Sequence, residues 1–573
     1  MTLRSFCKSF VLIPLLFGLS AGAESRDAPA RAALPGEAPV AAAPAFGPEL
    51  AGLRAALGGR GETEQALREF YEMRGYTPLW AEDGRPGDRA RLFLAAVQRA
   101  DEHALPLARY EPEALAAALA APWSGASEAL FSRTYLRFAR DIGSGLLEPR
   151  RISRNIRVKP PRPEVPALME ALATAPDPAM QFASLAPGSA DYRRLVSHYA
   201  TLRRAAERGE HWGETVSKGA TLREGARSRR VPALRARLAA LGDYPPAAGE
   251  EASAARDVVV AANDVTTDLP LDTDAPDPRR YDDALVAAVR QFQARHGLNT
   301  DGVVGPATLS TLNASLEDRI RQVAVNLERA RWNSGRMRGD RVVANLPDFR
   351  VEVVRDGSVV FESRVVIGKY KHQTVEFSDE MDHMVVNPTW HVPMSIARNE
   401  ILPQLRENPG YLEAKNMTLI GADPWMIDWE TVTPQSFPGR VRQAPGPGNA
   451  LGRVKFMFPN DFAIYLHDTP SRRLFRRDRR AYSHGCVRVE KPLELAYALL
   501  EGQEADPEAA FSRWLRRGRE RYVTLDNKLP VHLIYRTVWI DGSGAAQYRN
   551  DVYRRDRLVA KALEKAGVSI LTN

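Results

Sequence analysis

The chain has 573 residues, of which 44% are hydrophobic and 26% are charged, and its formal net charge is +8. This composition permits sizeable hydrophobic cores and predicts three or four domains of about 150 residues each. The basic residues are mostly arginines scattered through predicted helices, and no zinc-finger spacing, homeodomain or RNA-binding signature is present. The charge therefore favours loose attraction to an anionic surface such as a cell envelope, and argues against nucleic acid as a partner.

The N-terminal residues have the pattern of a secretory signal peptide. Arg4 and Lys8 precede an apolar run from Phe10 to Leu19, and small residues follow as far as Ala23. The run is shorter than the about 20 apolar residues that a membrane-spanning helix needs, so we expect a signal peptide at 1–23 that is cleaved. Residues 24–47 are rich in Ala and Pro and predict a disordered linker. No later stretch predicts a membrane span, so we expect the mature protein to be soluble outside the cytoplasm.

Two helical units and a connecting helix are predicted next. Residues 48–220 carry apolar side chains at helical spacing and predict a helical scaffold domain without a catalytic constellation. Residues 228–313 predict a small three-helix module, which an acidic, Ala-rich insert at 245–280 interrupts as a solvated loop. Residues 314–339 predict a connecting helix with one apolar face.

A β-rich domain is predicted over residues 340–540, because the apolar period there changes from that of a helix to that of a strand. Residues 395–440 interrupt the strands with predicted helix and irregular loop that contains tryptophans. We interpret this insert as a capping lid over a reactive centre, and the alternative is that its aromatic side chains pack on the sheet edge. Residues 541–573 form a C-terminal extension. The predicted fold class is therefore multidomain α+β.

One thiol is the strongest candidate for chemistry. Cys7 lies within the predicted signal peptide, so Cys486 is the only cysteine that we expect in the mature protein. Exported proteins normally pair their cysteines or avoid them, which favours a nucleophile at this position. His467 lies nineteen residues upstream at a predicted strand end and is the expected general base, which would later protonate the leaving amine. Its second ring nitrogen needs an acceptor, either a backbone carbonyl or Asp468.

The neighbours of the thiol suggest further roles. Gly485 permits a tight turn that can direct backbone amides at a developing oxyanion. Arg488 can lower the pKa of the thiol or hold a substrate carboxylate. His484 is a rival base or a pocket residue, but we favour His467 because a base usually comes from a different segment than its nucleophile.

Two other interpretations of these residues were weighed. A lone cysteine is often a small buried hydrophobe, although here turn residues and Arg flank it. His467, His484 and Cys486 could also bind zinc. No CxxC, no HExxH and no carboxylate at helical spacing accompanies them, so we predict neither a metal nor a cofactor.

Two motifs resemble the catalytic signature of the L,D-transpeptidases of the YkuD family. They are the segment Tyr465–Pro470, read Tyr-Leu-His-Asp-Thr-Pro, and the segment Ser483–Arg488, read Ser-His-Gly-Cys-Val-Arg. Phe292-Gln293 with Asp301–Gly305 resembles a small peptidoglycan-binding module, and the alternative is a helical spacer that binds nothing. The layout is similar to that of the long periplasmic, YcbB-like L,D-transpeptidases of Gram-negative bacteria. These combine a scaffold domain, a peptidoglycan-binding module and a catalytic domain with a capping subdomain.

The resemblance implies a function. Cys486 would attack the third residue of a tetrapeptide donor stem, and an acceptor stem amine would resolve the thioester to give a 3→3 peptidoglycan crosslink. The partners would be donor and acceptor stems and possible cell-wall synthases, and the location would be the periplasm. Carbapenems would acylate the thiol. The alternatives are an L,D-carboxypeptidase that uses the same two residues and a non-catalytic wall-binding protein. We expect four residues to contact the substrate: Tyr465, Ser483, Trp390 and Trp425.

Overall fold

A computed structural model describes residues 50–245 and 277–569. The predicted signal peptide, the predicted linker and residues 246–276 of the predicted insert lie outside the described residues. Within the described ranges, none of the helices combines the length and the apolar character that crossing a membrane requires.

The scaffold domain is a bundle of helices with one small hairpin. Its elements are α1 (Leu53–Ala56), α2 (Glu62–Met73), β1 (Ala81–Glu82), β2 (Arg85–Pro86), α3 (Asp88–Gln98), α4 (Pro112–Ala120), α5 (Gly125–Ser144), α6 (Pro149–Ile152), α7 (Val165–Ala173), α8 (Pro178–Ser184) and α9 (Ala190–Glu207). Trp80 packs at the centre of its core against Phe93 and Phe131. Glu128 on α5 is fully buried and accepts hydrogen bonds from the hydroxyl of Tyr71 at 2.7 Å and from the backbone amide of Trp80 at 3.1 Å. These bonds satisfy a carboxylate that would otherwise be costly to bury.

The second unit is the predicted three-helix module. It consists of α10 (Val231–Ala240), α11 (Asp283–Arg295) and α12 (Pro306–Leu312). The amide of Gln293 on α11 donates to the Asp301 side chain at 2.9 Å and to the Val303 carbonyl at 3.0 Å, and its oxygen accepts from the Gly302 amide at 2.9 Å. Gln293 therefore holds the Asp301–Gly305 turn closed from within the module.

The connecting helix α13 (Leu316–Trp332) begins at a capping box formed by Ser315 and Asp318. It packs against α9 of the scaffold domain through a shared core that includes Ile320, Val323 and Leu327.

The β-rich domain is built on one nine-stranded sheet. Its strands are β3 (Arg341–Asn345), β4 (Arg350–Arg355), β5 (Ser358–Gly368), β6 (Phe377–Val386), β10 (Val454–Met457), β11 (Leu466–His467), β12 (Ala481–Ser483), β13 (Val487–Val489) and β14 (Arg521–Ile534). The order is β12-β5-β13-β11-β10-β6-β14-β3-β4, and β4 also pairs with β5, so the sheet closes on itself. Two helices between β13 and β14, α17 (Pro492–Leu500) and α18 (Pro507–Arg516), pack against the core of the sheet.

The predicted capping insert lies between β6 and β10 and has a core of its own. Its elements are β7 (Trp390–His391), α14 (Met394–Ile396), a π-helical turn (Ala397–Ile401), α15 (Leu402–Glu407), α16 (Tyr411–Ala414), β8 (Met417–Ile420) and β9 (Arg440–Gln443). The strands form a three-stranded sheet in the order β7-β9-β8, which the expectation of helix and irregular loop missed. These strands are two to four residues long, and such short segments carry too few alternations to indicate a strand. Trp429 is 3% exposed within this core, so its ring packs inside the insert and not on the edge of the large sheet.

The C-terminal extension adds the hairpin of β15 (Val538–Ile540) and β16 (Ala546–Tyr548) and the helix α19 (Arg555–Lys565). The helix α19 packs on α13, and Arg555 is buried in an ion pair with Glu376 at 2.7 Å. The described architecture confirms the predicted multidomain α+β fold.

Candidate active site

The two sequence motifs meet on two neighbouring parallel strands. Leu466 on β11 pairs with Val487 on β13, and both side chains are buried in the core beneath the sheet. Because side chains alternate along a strand, Tyr465, His467, Cys486 and Arg488 point to the opposite face. The Val487 amide donates to the Tyr465 carbonyl at 3.0 Å, and adjacent strands lie about 4.8 Å apart. The fold thus brings a thiol, an imidazole, a phenol and a guanidinium onto one face.

His467 is held in a fixed orientation by the backbone. It is 4% exposed, and its Nδ1 donates to the Asp468 carbonyl at 2.5 Å. Of the two acceptors considered from the sequence, the backbone carbonyl is therefore the partner. The Asp468 carboxylate instead accepts from the Thr469 amide at 2.7 Å and from the Arg453 amide at 2.9 Å. With Nδ1 engaged, Nε2 is the nitrogen that remains to take a proton.

Burial decides the protonation of the imidazole and of the thiol. Burial, together with the charges of Arg488 and Lys455, lowers the pKa of His467 to about 3. Burial raises the pKa of the Cys486 thiol, although hydrogen bonds from Tyr465 and the charge of Arg488 oppose it. The predicted effect of Arg488 therefore has the expected sign but is smaller than the effect of burial. At neutral pH both groups rest uncharged.

Tyr465 and Lys455 are the other side chains near the thiol and the imidazole. Burial and the proximity of Cys486 raise the pKa of the Tyr465 phenol. The Tyr465 ring lies 5.6 Å from the His467 ring, centroid to centroid, in an edge-on arrangement. Lys455 on β10 pairs with His467 in register and places its ammonium 5.9 Å from the Tyr465 ring centroid. Lys455 is a site residue that no sequence motif indicated.

The turn before the nucleophile depends on Gly485 and Ser483. Gly485 has φ +123°, a conformation that favours glycine. The buried Ser483 hydroxyl donates to the Cys486 carbonyl at 2.5 Å and accepts from the Gly485 amide at 3.2 Å. In this conformation the Gly485 amide is engaged within the turn, and the Ser483 hydroxyl holds the turn together. The predicted substrate contact of Ser483 stays a prediction.

A second layer of residues fixes this turn from behind. The Thr374 hydroxyl donates to the Gly485 carbonyl at 2.7 Å and accepts from the Gly368 amide at 3.0 Å. The Tyr553 hydroxyl, from the C-terminal extension, donates to the Gly368 carbonyl at 2.5 Å. A Cβ on Gly368 would lie only 2.0 Å from the His372 carbonyl oxygen, so only glycine fits there. Sequence reasoning missed these residues because they come from distant segments and belong to no motif.

His484 contacts the capping insert. Its Nε2 donates to Oε1 of Glu400 at 2.5 Å, and Lys369 Nζ lies 3.1 Å from the same nitrogen. Trp390 lies on β7 and packs against the core of the insert, and Trp425 is 63% exposed on a 3₁₀ turn of the insert. Both tryptophans thus belong to the insert and not to the strand face that carries the thiol.

Across the two described ranges, no group of three or more His, Cys, Asp and Glu side chains is arranged to hold a metal ion. A buried imidazole and a thiol on one strand face, with a glycine turn before the thiol, are the groups that cysteine-dependent acyl transfer requires.

Comparison with known families agrees with this class. Residues 339–506 match the family model described as the L,D-transpeptidase catalytic domain, YkuD. Residues 65–198 match a scaffold domain, and residues 269–312 match a model described as "Putative peptidoglycan binding domain". The matched ranges are therefore similar to the L,D-transpeptidase catalytic domain of the YkuD family, to a scaffold domain and to a peptidoglycan-binding domain.

Individual relatives were also found. A curated protein of Haemophilus influenzae with the name "Putative L,D-transpeptidase" is 36% identical over 251 residues, which are 43% of this chain and 50% of that protein. The chain thus spans about half the length of the curated relative that it matches. Solved L,D-transpeptidases from Stackebrandtia nassauensis and Xylanimonas cellulosilytica are 14% and 16% identical. They cover 56% of this chain and 96% and 99% of their own, with TM-scores of 0.19 and 0.16.

Proposed function

We propose that the protein is an L,D-transpeptidase that forms 3→3 crosslinks in peptidoglycan through a thioester on Cys486. The proposal rests on one observation: Cys486 and His467 lie on the same strand face, together with Tyr465 and Arg488. The YkuD catalytic domain supports the reaction class, and the peptidoglycan-binding domain supports the substrate. The same two domains support a location at the cell wall or in the periplasm.

In the proposed acylation step, Cys486 is the nucleophile and His467 is the base. His467 Nε2 takes the thiol proton as Cys486 Sγ attacks the carbonyl carbon of the diamino acid at the third position of the donor stem. The tetrahedral intermediate collapses with cleavage of the C–N bond to the terminal D-Ala. The imidazolium returns its proton to the leaving amine, and a thioester remains on Cys486. Because His467 Nδ1 is engaged with the Asp468 carbonyl, the ring keeps one orientation through both proton transfers.

Deacylation decides between the two enzymatic alternatives. When a side-chain amine of a second stem attacks the thioester, His467 accepts its proton, an amide forms and the thiol is regenerated. When water attacks in place of the amine, the product is a trimmed tripeptide, and the protein acts as an L,D-carboxypeptidase. A third alternative, a wall-binding protein without catalysis, requires that neither product forms.

Product analysis separates these alternatives. The purified protein is incubated with tetrapeptide muropeptides, and the products are identified by liquid chromatography and mass spectrometry. We expect crosslinked dimers with loss of D-Ala, and no product from the Cys486→Ala variant. Trimmed monomers alone would indicate the carboxypeptidase. An unchanged substrate with folded wild-type protein would indicate the wall-binding alternative.

Inhibition and substrate contacts are part of the same proposal. A carbapenem presents a strained acyl group to the same nucleophile, so we expect a single covalent adduct on Cys486. We assign substrate contacts to Tyr465 on the strand face and to Trp390 and Trp425 on the insert, where the exposed Trp425 ring offers a surface for the peptide or the glycan. Ser483 is the fourth residue proposed to contact the substrate, from the turn.

A further inference from the structure

The capping insert reaches the catalytic motif through one carboxylate. Glu400 lies on the π-helical turn Ala397–Ile401, and its Oε1 accepts from His484 Nε2 at 2.5 Å. The ammonium of Lys369 lies 3.6 Å from the same oxygen and 3.1 Å from His484 Nε2. One acidic group of the insert therefore faces two basic groups of the catalytic domain.

The two basic groups are held by the catalytic sheet. Lys369 directly follows β5, and its amide donates to the Ser483 carbonyl at 2.8 Å, while Gly368 pairs with Ser483 in register. His484 follows Ser483 directly and precedes the nucleophile by two residues. Their position is thus fixed relative to Cys486. The carboxylate belongs to a separate unit with its own core, in which Ala397 and Ile401 are buried on either side of Glu400.

The other ionisable side chains around Glu400 are basic. Burial lowers the pKa of His372, and the charges of His484 and Lys369 lower it further. The His372 and His484 rings lie 5.1 Å apart, centroid to centroid. Arg488, on the strand face of the thiol, is close enough to Glu400 for the carboxylate to stabilise its charge. A carboxylate that approached Cys486 from this side would meet the same groups that Glu400 meets.

We propose that Lys369 and His484 form a carboxylate-binding subsite for the donor peptide, and that Glu400 occupies this subsite in the present conformation. The inference rests on the proposed function, because that function supplies the peptide. A substrate carboxylate that binds there displaces Glu400 and releases the contact between the insert and the catalytic motif. Glu400 is thereby a competitor for the subsite, and Lys369 determines the preference for an anionic substrate.

The first test needs no peptide substrate. Iodoacetate and iodoacetamide alkylate the same thiol and have nearly the same shape, but only iodoacetate carries a carboxylate. Any change in the thiolate fraction of Cys486 affects both reagents alike, so the ratio of the two alkylation rates reports how strongly the surroundings of the thiol favour a carboxylate. The ratio is measured for the wild type, Glu400→Gln, Lys369→Gln and the control Glu413→Gln, which removes an exposed glutamate from the same insert.

Glu400→Gln and Lys369→Gln should change the ratio of the two alkylation rates in opposite directions. We expect Glu400→Gln to raise the iodoacetate-to-iodoacetamide ratio by up to about fivefold, the upper end of the range for one partly exposed charge pair. Lys369→Gln should lower the ratio, and Glu413→Gln should leave it as in the wild type. If the ratio in Glu400→Gln and in Lys369→Gln equals that of the wild type, the proposed subsite is wrong.

The second test identifies which carboxylate is bound. Donor tetrapeptides are compared with the terminal D-Ala carboxylate amidated, with the diamino acid carboxylate amidated, and with both free. We expect one amidation to slow acylation of the wild type, and to slow it much less in Lys369→Gln. Equal acylation of all three donors by the wild type would overturn the assignment to the donor peptide. Absence of any product from the free donor would contradict the proposed function, while the alkylation ratio would still decide the subsite.

Discussion

At the scale of single residues, the site consists of a buried imidazole and a half-buried thiol, and both groups are uncharged while they rest. Burial lowers the pKa of His467 to about 3 and raises the pKa of Cys486. Each group is charged only at the cost of desolvation, but a thiolate and an imidazolium that form together stabilise each other. Proton transfer is therefore expected to accompany the attack on the substrate and not to precede it.

The charge state predicts a pH profile for alkylation of Cys486 by iodoacetamide. The rate should rise with pH without a plateau near neutrality, and its inflection should lie above the about 8.5 of a free thiol. Arg488→Met should move the inflection higher still, because the guanidinium stabilises the thiolate. The exposed Arg513→Met serves as the control for loss of a positive charge. A plateau that begins below pH 7 would show a preformed ion pair and contradict this account.

The two histidines of the motifs should differ in effect. His467→Ala removes the base and is expected to lower the rate of acylation by about 10²- to 10⁴-fold. His484→Ala should weaken acylation far less, because His484 Nε2 is engaged with Glu400 in the structure. Single-turnover acylation by a carbapenem, followed by intact-protein mass spectrometry, measures both. Full loss in both variants, or loss only in His484→Ala, would show that the roles are assigned wrongly.

The sequence indicated which residues of the two motifs share a strand face more directly than it indicated the residues around them. Cys486, His467 and Arg488 lie in compact motifs, where alternation along a strand and turn chemistry indicate which side chains share a face. Lys455, Lys369 and Glu400 come from three other segments, and their contacts depend on strand register and on the placement of the insert. Neither the strand register nor the placement of the insert follows from local sequence patterns.

At the scale of elements, the capping insert is a small folded unit. Trp429 packs against Phe437 with 6.0 Å between ring centroids and donates its Nε1–H to the Pro424 carbonyl at 2.9 Å. Its core holds the π-helical turn that presents Glu400. The shape of the insert should therefore control access to Cys486 without contributing to the chemistry.

Two tryptophans of the insert provide a matched pair of variants. Trp429→Ala removes a buried ring and should destabilise the insert by about 3–5 kcal/mol. It should lower peptide turnover while Cys486 remains open to iodoacetamide. Trp425→Ala removes a ring that is 63% exposed, so thermal unfolding should stay as in the wild type while KM for muropeptides rises.

Thermal unfolding, muropeptide kinetics and iodoacetamide labelling distinguish the two effects. Equal turnover by the wild type and Trp429→Ala, with a destabilised insert, would argue against the lid.

Helices of more than three turns were the elements that the sequence indicated best. The apolar face of residues 314–339 predicted α13, which has 17 residues. The two-residue strand β11 carries His467, which the sequence indicated only as lying at a strand end. So short a strand is stabilised by its neighbours β10 and β13, and long-range pairing of this kind leaves little local signal.

At the scale of the whole molecule, the C-terminal extension stabilises the catalytic turn. A chain of hydrogen bonds runs from the Tyr553 hydroxyl to Gly368, from Gly368 to Thr374, and from Thr374 to Gly485. Arg555 on α19 donates to the Thr374 carbonyl at 2.7 Å and extends the support. A segment outside residues 339–506, the range that matches the catalytic-domain model, thus helps to position the turn before Cys486.

Removal of one hydroxyl tests this support. Tyr553→Phe leaves the buried Gly368 carbonyl without its donor and should lower the free energy of unfolding by about 1–3 kcal/mol. It should also lower kcat with little change in KM, because it loosens the turn at Gly485. Tyr522→Phe, at a tyrosine that is 63% exposed, is the control. A loss of stability with unchanged kcat would show a structural role only.

The central claim is that Cys486 carries the acyl group of the donor stem and that His467 makes this possible. The most direct measurement is intact-protein mass spectrometry after brief mixing with a tetrapeptide donor, with the adduct mapped by proteolysis. We expect one adduct with the mass of the tripeptide acyl group on Cys486, absent from Cys486→Ala and strongly reduced in His467→Ala. Crosslinked or trimmed product from the Cys486→Ala variant, or an adduct on any other residue, would contradict the account.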